Sequence, residues 1–166
     1  MRMVKKLGLL SVASVSAIAF ASQAQAVDVT GDASAEIQES LTLVQDTAMD
    51  FATIIADSTG DTITLDTADS VSATGASTFT GTAASGEFSA TGTPSAAVTI
   101  SFSTGNTLAG PGAAMGLGSF TNSAGGSPAF DGSGDLNFTV GADLTVNAGQ
   151  AGGTYTGTYT LTVDYQ

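Results

Sequence analysis

The sequence predicts an all-β fold, a single antiparallel sandwich with Greek-key-like connections, and three observations carry that prediction. Near the start of the chain, apolar or small residues alternate with polar ones over residues 27–43. At the end, residues 154–165 alternate again, with a row of threonines on one side. Between them, short apolar alternations recur with Gly, Asn and Ser turns separating them. A period of two marks extended chain with one buried face. Many short strands at this spacing argue for two packed sheets. No amphipathic helical pattern follows residue 26.

The first element is a leader rather than part of the fold. Arg2, Lys5 and Lys6 flank an apolar run from Leu7 to Phe20, which ends in Ala24-Gln25-Ala26. This is the layout of a secretory signal peptide, cleaved after residue 26. Its apolar run is too short for a stable membrane anchor, and no Cys stands at the cleavage site to take a lipid. The expected product is exported through the Sec pathway to the periplasm, cell surface or exterior, with residues 27–166 as one domain. That length suits one hydrophobic core.

Residues 27–43 come next. Val27, Val29, Gly31, Ala33, Ala35, Ile37, Leu41 and Leu43 share one face, and only Glu39 breaks it. One strand of that length is unusual, so two strands separating near Glu39-Ser40 are expected. The first of them, residues 27–38, fits the opening strand of the chain's own sandwich, the reading preferred on sequence alone. The same alternation suits a donor strand that completes the sheet of a neighbour.

Met49–Ile55 is the next expected strand, then the turn Asp57–Asp61 and Thr62–Asp66, with Ile63 and Leu65 on one face. Further strands centre on Phe79, on Phe88 and on Val98, Ile100 and Phe102. Residues 106–134, with Pro111, Pro128 and many glycines, read as a Gly-rich loop region. Two more strands follow, Leu136–Val140 and Ala142–Val146. The terminal strand places Tyr155, Tyr159, Leu161, Val163 and Tyr165 on one face. An outer-membrane barrel also alternates, but this chain has few aromatics for its girdles and many short strands.

Charge narrows function. Of 166 residues, 15 are acidic and 3 basic, and the three cations all lie within the first six positions. There is no His or Cys. Beyond residue 26 the chain has no imidazole base, no lysine for a Schiff base and no thiolate, so catalysis is not expected. Without cations to neutralise phosphates, nucleic acid is not an expected partner either.

Oxygen ligands remain. Asp131-Gly132-Ser133-Gly134-Asp135, with Asn137 nearby, is the most calcium-like loop, since hard cations take several oxygens on a flexible turn. Its spacing departs from the EF-hand pattern. A solvated turn is the plainer reading, with loose Ca²⁺ condensation on an acidic surface as the extent of cation binding. No cofactor is expected.

Met49–Ile54 (MDFATI) and the ending Ala151–Tyr165 (AGGTYTGTYTLTVDY), behind the leader, resemble the bacterial domain-of-unknown-function family 4402 over essentially the whole exported chain. The ending is also similar to the last strand of the spore-coat-U-like, archaic chaperone–usher pilins. Those pilins carry an LDFG-like segment after an N-terminal strand, and here Ala52 stands at the position of its Gly. The resemblance implies an Ig- or pilin-like sandwich in a Gram-negative bacterium. It further implies a non-enzymatic subunit of a fibre, pilus or biofilm matrix, with self-association by strand addition and a periplasmic chaperone and usher as partners. Val27, Val29, Ala33, Ala35 and Ile37 would then be the inserting residues. The alternative is a monomeric exported module that binds a glycan or a divalent cation.

Overall fold

The computed structural model describes residues 26–166. The leader expected over residues 1–26 lies outside the described residues except for Ala26. The described chain divides into a segment ending at Ala35 and a compact unit from Glu36 to Gln166. Up to Ala35 the segment forms no strand and every side chain is exposed, Val27 by 84% and Val29 by 87%.

The compact unit is all-β and antiparallel. Its strands are β1 (Thr42–Thr47), β2 (Thr53–Ile55), β3 (Asp61–Leu65), β4 (Val71–Ala73), β5 (Thr78–Thr80), β6 (Gly86–Thr91), β7 (Val98–Phe102), β8 (Asn106–Leu108), β9 (Met115–Asn122), β10 (Asp135–Val146) and β11 (Leu161–Tyr165). No helix occurs among the described residues, so none of them forms one long and apolar enough to cross a membrane.

β10 is the spine. Along one edge its first half, Asp135–Val140, pairs with β6, and its second half, Ala142–Val146, pairs with β3. Its other edge pairs with β9 from Val140 to Thr145. β1 lies outside β6, β4 outside β3 and β8 outside β9. The two remaining pairs are β7 with β11 and β2 with β5.

Alternation decides what is buried. Ile63 and Leu65 of β3 and Leu144 and Val146 of β10 face one apolar cluster with Phe51 and Leu117. Phe88, Phe138 and Val140 face a second, closed from the opposite sheet by Val98 of β7 and Val163 of β11. Phe88 and Phe138 stack with centroids 5.7 Å apart. Met49, Phe120 and Tyr159 pack against both clusters and join them.

Several expectations are corrected. Val27–Gln38 is not the first strand of this sandwich; that strand is β1. Period two records which face a strand would bury, not whether the chain pairs with a neighbour there. Within Met49–Ile55 only β2 is a strand. Asp50 forms a single bridge to Ala84, and Ala52 turns the chain with φ 61°. The two strands expected around Gly141 are one 12-residue strand. Gly141 marks the handover from β6 to β3, not a turn.

The 106–134 region, expected to be a Gly-rich loop, contains β8 and β9. Met115 and Leu117 are buried and alternate with Gly116 and Gly118, so the alternation is apolar against glycine rather than apolar against polar. The terminal strand covers only Leu161–Tyr165. Tyr155 and Tyr159 lie on its irregular approach, tied down by one bridge between Thr156 and Ala109, the residue that follows β8.

Candidate functional site

Edge strands define the site. Among the described residues β1 pairs only with β6, and β11 only with β7, so each presents there a row of backbone groups without a strand partner. Between them lies an apolar groove of about 260 Å³. Leu43 and Gln45 of β1 line one wall, Tyr159 and Leu161 the other, and Phe88 is among the residues between them. The groove continues into a wider cavity of about 700 Å³ bordered by residues 49–54 on one side and residues 150–157 on the other. Met49, Phe51, Leu108 and Gly157 belong to both spaces, so the two form one seam along the sandwich.

Local sequence explains why the seam is irregular in the middle. The Asp50 carboxylate accepts the Ala52 N–H at 2.8 Å and holds the left-handed turn at Ala52. That turn breaks the edge between β1 and β2. Opposite it, Gly157 passes so close to the Thr107 carbonyl that any Cβ would collide with it. The Thr154–Thr160 approach is therefore pinned to β8 rather than extended beside β1.

Tyr159 is the central aromatic of the groove. Its ring meets Phe120 at 4.8 Å and Phe88 edge-on at 6.4 Å. Its hydroxyl is buried and has no hydrogen-bond partner among the described residues, and burial raises its pKa above the ordinary tyrosine value. A buried hydroxyl left in this state costs free energy. Tyr155 lines the wide cavity, and its hydroxyl donates to the Ala151 carbonyl at 2.8 Å.

The strand-addition residues carry no strand. Val27, Val29, Ala33 and Ala35 are exposed, and Ile37 is 91% exposed. Leu161 and Tyr159 face the groove, whereas Val163 is buried in the core and Tyr165 lies at the far end of β11.

Asp131 and Asp135 come together in a tight turn. One Asp131 carboxylate oxygen accepts the Ser133 N–H at 2.7 Å and the Asp135 N–H at 2.9 Å. These bonds, Asp135 foremost, lower the Asp131 pKa. Asn137 sits on β10 opposite Ser89. Among the described residues no group of three or more His, Cys, Asp or Glu is placed to hold a metal ion.

The same economy recurs elsewhere. Asp61 accepts from the Thr74 hydroxyl and the Gly75 N–H, both at 2.7 Å, and from the Ser77 N–H at 3.2 Å. Led by the Thr74 bond, these contacts pull its pKa down to about 2. Asp69 accepts the N–H and hydroxyl of Ser85 and is lowered likewise. With no cation from residue 7 onward, N–H and O–H donors satisfy these carboxylates.

Sequence reading missed Leu43, Phe51 and Leu108 as seam residues. The one signal for this wall was the MDFATI segment, whose residues border the wide cavity. Residues 41–165, from just before β1 to the end of β11, match the family described as Domain of unknown function (DUF4402). No curated protein and no solved structure matches the chain.

Proposed function

We propose that this chain, which belongs to the DUF4402 family, is an exported, non-enzymatic structural subunit of the cell surface. It assembles into a pilus-like or biofilm-matrix fibre by β-strand addition. One observation carries the reading. A strand-patterned segment, Val27–Gln38, forms no strand, while among the described residues the seam between β1 and β11 has an apolar floor and two edges without strand partners.

The dimensions support it. At about 3.3 Å per residue, Val27–Ile37 reaches roughly 33 Å, and the wall Leu43–Ala56 no more than roughly 43 Å. Val27, Val29 and Ile37 are apolar side chains that each contribute about 1.5–3 kcal/mol when fully buried. Main-chain bonds to the free edges add to this. The donor and the seam are different surfaces, so the contact is head-to-tail and generates an open filament. Before assembly the seam needs a temporary occupant, the role of a periplasmic chaperone acting with an usher.

Electron microscopy and unboiled denaturing gels of the protein beginning at Val27 test the reading. Filaments and detergent-resistant ladders are expected, and both disappear when Val27–Gln38 is deleted. Monomers alone, at high concentration and with divalent cations present, would refute it. A second reading, a monomeric binding module for a glycan or a divalent cation, is favoured by the wide cavity, whose 700 Å³ is of small-molecule size. Saturable glycan binding by a strictly monomeric protein would support that reading instead.

A further inference from the structure

A donor segment that directly precedes its own edge strand has a ready competitor to pairing between copies. It can turn back on β1 as a hairpin and fill its own seam. A loop of two to five residues suffices for that reversal. A tethered partner also acts at an effective concentration that a dilute second copy does not reach. The reversal has to be made in the few residues between Gln38 and Thr42, and there the chain is held.

The Glu39 N–H donates to the Thr93 hydroxyl at 2.7 Å. The Glu39 carbonyl accepts from the Tyr165 hydroxyl at 2.9 Å. That hydroxyl in turn accepts the Thr93 N–H at 2.7 Å. Both backbone polar groups of Glu39 are thus engaged by residues distant in sequence. The register agrees: Thr42 lies opposite Thr91, and two residues further back the same register sets Ser40 opposite Thr93. The chain therefore enters β1 in line with β6 rather than from a reversal.

The hold is built into the sandwich. The Tyr165 ring packs against Phe130 with centroids 5.9 Å apart. Gly92 lies directly under the Tyr165 hydroxyl, where any Cβ would collide with that oxygen and with the Phe130 ring. To form a hairpin, residues 39–41 would have to leave the line of β6 and give up both Glu39 backbone bonds. Among the described residues no strand on the outer edge of β1 replaces them.

We infer that Tyr165 and Thr93, by clamping the Glu39 backbone, are positioning residues that suppress self-pairing of the N-terminal segment and direct it to the seam of a second copy. This rests on the strand-addition reading and adds a partner-selecting device to it.

The test uses the protein beginning at Val27, with glutamyl endopeptidase cleavage after Glu36 as the readout. In the wild type, protection of Glu36 rises with protein concentration, because the covering seam belongs to another copy. Tyr165→Phe keeps the ring on Phe130 and removes only the hydroxyl. It is expected to yield monomers by light scattering, with Glu36 protection constant over about a hundredfold dilution. Thr93→Ala should act in the same direction, and Thr93→Ser should retain wild-type behaviour. A purely structural role would lower thermal stability and leave the concentration dependence intact. If Tyr165→Phe and Thr93→Ala polymerise with wild-type concentration dependence, the clamp is refuted while strand addition stands. If the wild type is never protected at any concentration, strand addition fails and the clamp with it.

Discussion

Gly141 is the point at which β10 passes from β6 to β3, and replacing it with Ala tests the architecture directly. An added Cβ would overlap the Leu65 carbonyl oxygen and lie 2.8 Å from the Asp66 carbonyl carbon and 3.0 Å from its Cα. All three are backbone atoms, next to the fully buried Leu65 and Ile63, so no flexible side chain can yield. Overpacking of this kind costs about 1–3 kcal/mol or somewhat more. With a urea slope of about 1–3 kcal/mol per molar, Gly141→Ala should lower the midpoint by roughly 1 M. Gly118 on β9 is the control: it has ordinary backbone angles and nothing within 4 Å of an added Cβ. Gly118→Ala restricts the unfolded chain without a clash and should stabilise by about 0.4–1 kcal/mol. Urea titration followed by circular dichroism reads both. Equal midpoints for the two variants, or a Gly141→Ala midpoint at the wild-type value, would refute the handover at Gly141.

Other perturbations probe the polar sites. Asp61 has its folded pKa depressed to about 2, below its unfolded value near 3.9, so its stabilising contribution is full above the unfolded value. That contribution fades as pH falls from about 4 through about 2, and Asp61→Asn should flatten this acid limb of a thermal-melt profile; an unchanged limb would show that Asp61 does not contribute to it. Tyr159→Phe removes a buried hydroxyl that has no hydrogen-bond partner among the described residues and should raise stability by about 1 kcal/mol, whereas a loss of that size in thermal denaturation would mean the hydroxyl is satisfied. Self-association of a chain with 15 carboxylates should strengthen with added salt or divalent cation, as screening shortens the repulsion between copies. Sedimentation that shows assembly weakening steadily with salt would contradict this.

What was legible in the sequence follows from what alternation encodes. Ile63 and Leu65, Phe88 and Ala90, and Leu136 through Val146 announced their strands because polar residues separate their apolar ones. β9 was hidden because Gly116 and Gly118 fill the outward positions of Met115 and Leu117, and glycine signals loop as readily as strand. At the chain end, Thr154–Thr160 has strand periodicity but is held at Thr156 by a single bridge to Ala109, just past β8, and passes too close to Thr107 at Gly157. Val27–Gln38 has the same periodicity with no strand at all. Periodicity therefore reads pairing competence, and only the three-dimensional arrangement tells which edges are filled. The clamp on Glu39 was out of reach for another reason. It joins residues 39, 93 and 165, and no local pattern connects them.

Strand addition requires the seam between β1 and β11 to receive the Val27–Gln38 segment through its alternating apolar face. Calorimetry of a synthetic Val27–Gln38 peptide, titrated into protein lacking those residues, measures this directly. A second peptide of identical composition, with each odd residue exchanged for its even neighbour, presents the acids to the seam instead. Saturable one-to-one binding of the first peptide and none of the second is the predicted result. Equal binding of both, or binding of neither, would contradict strand addition at this seam.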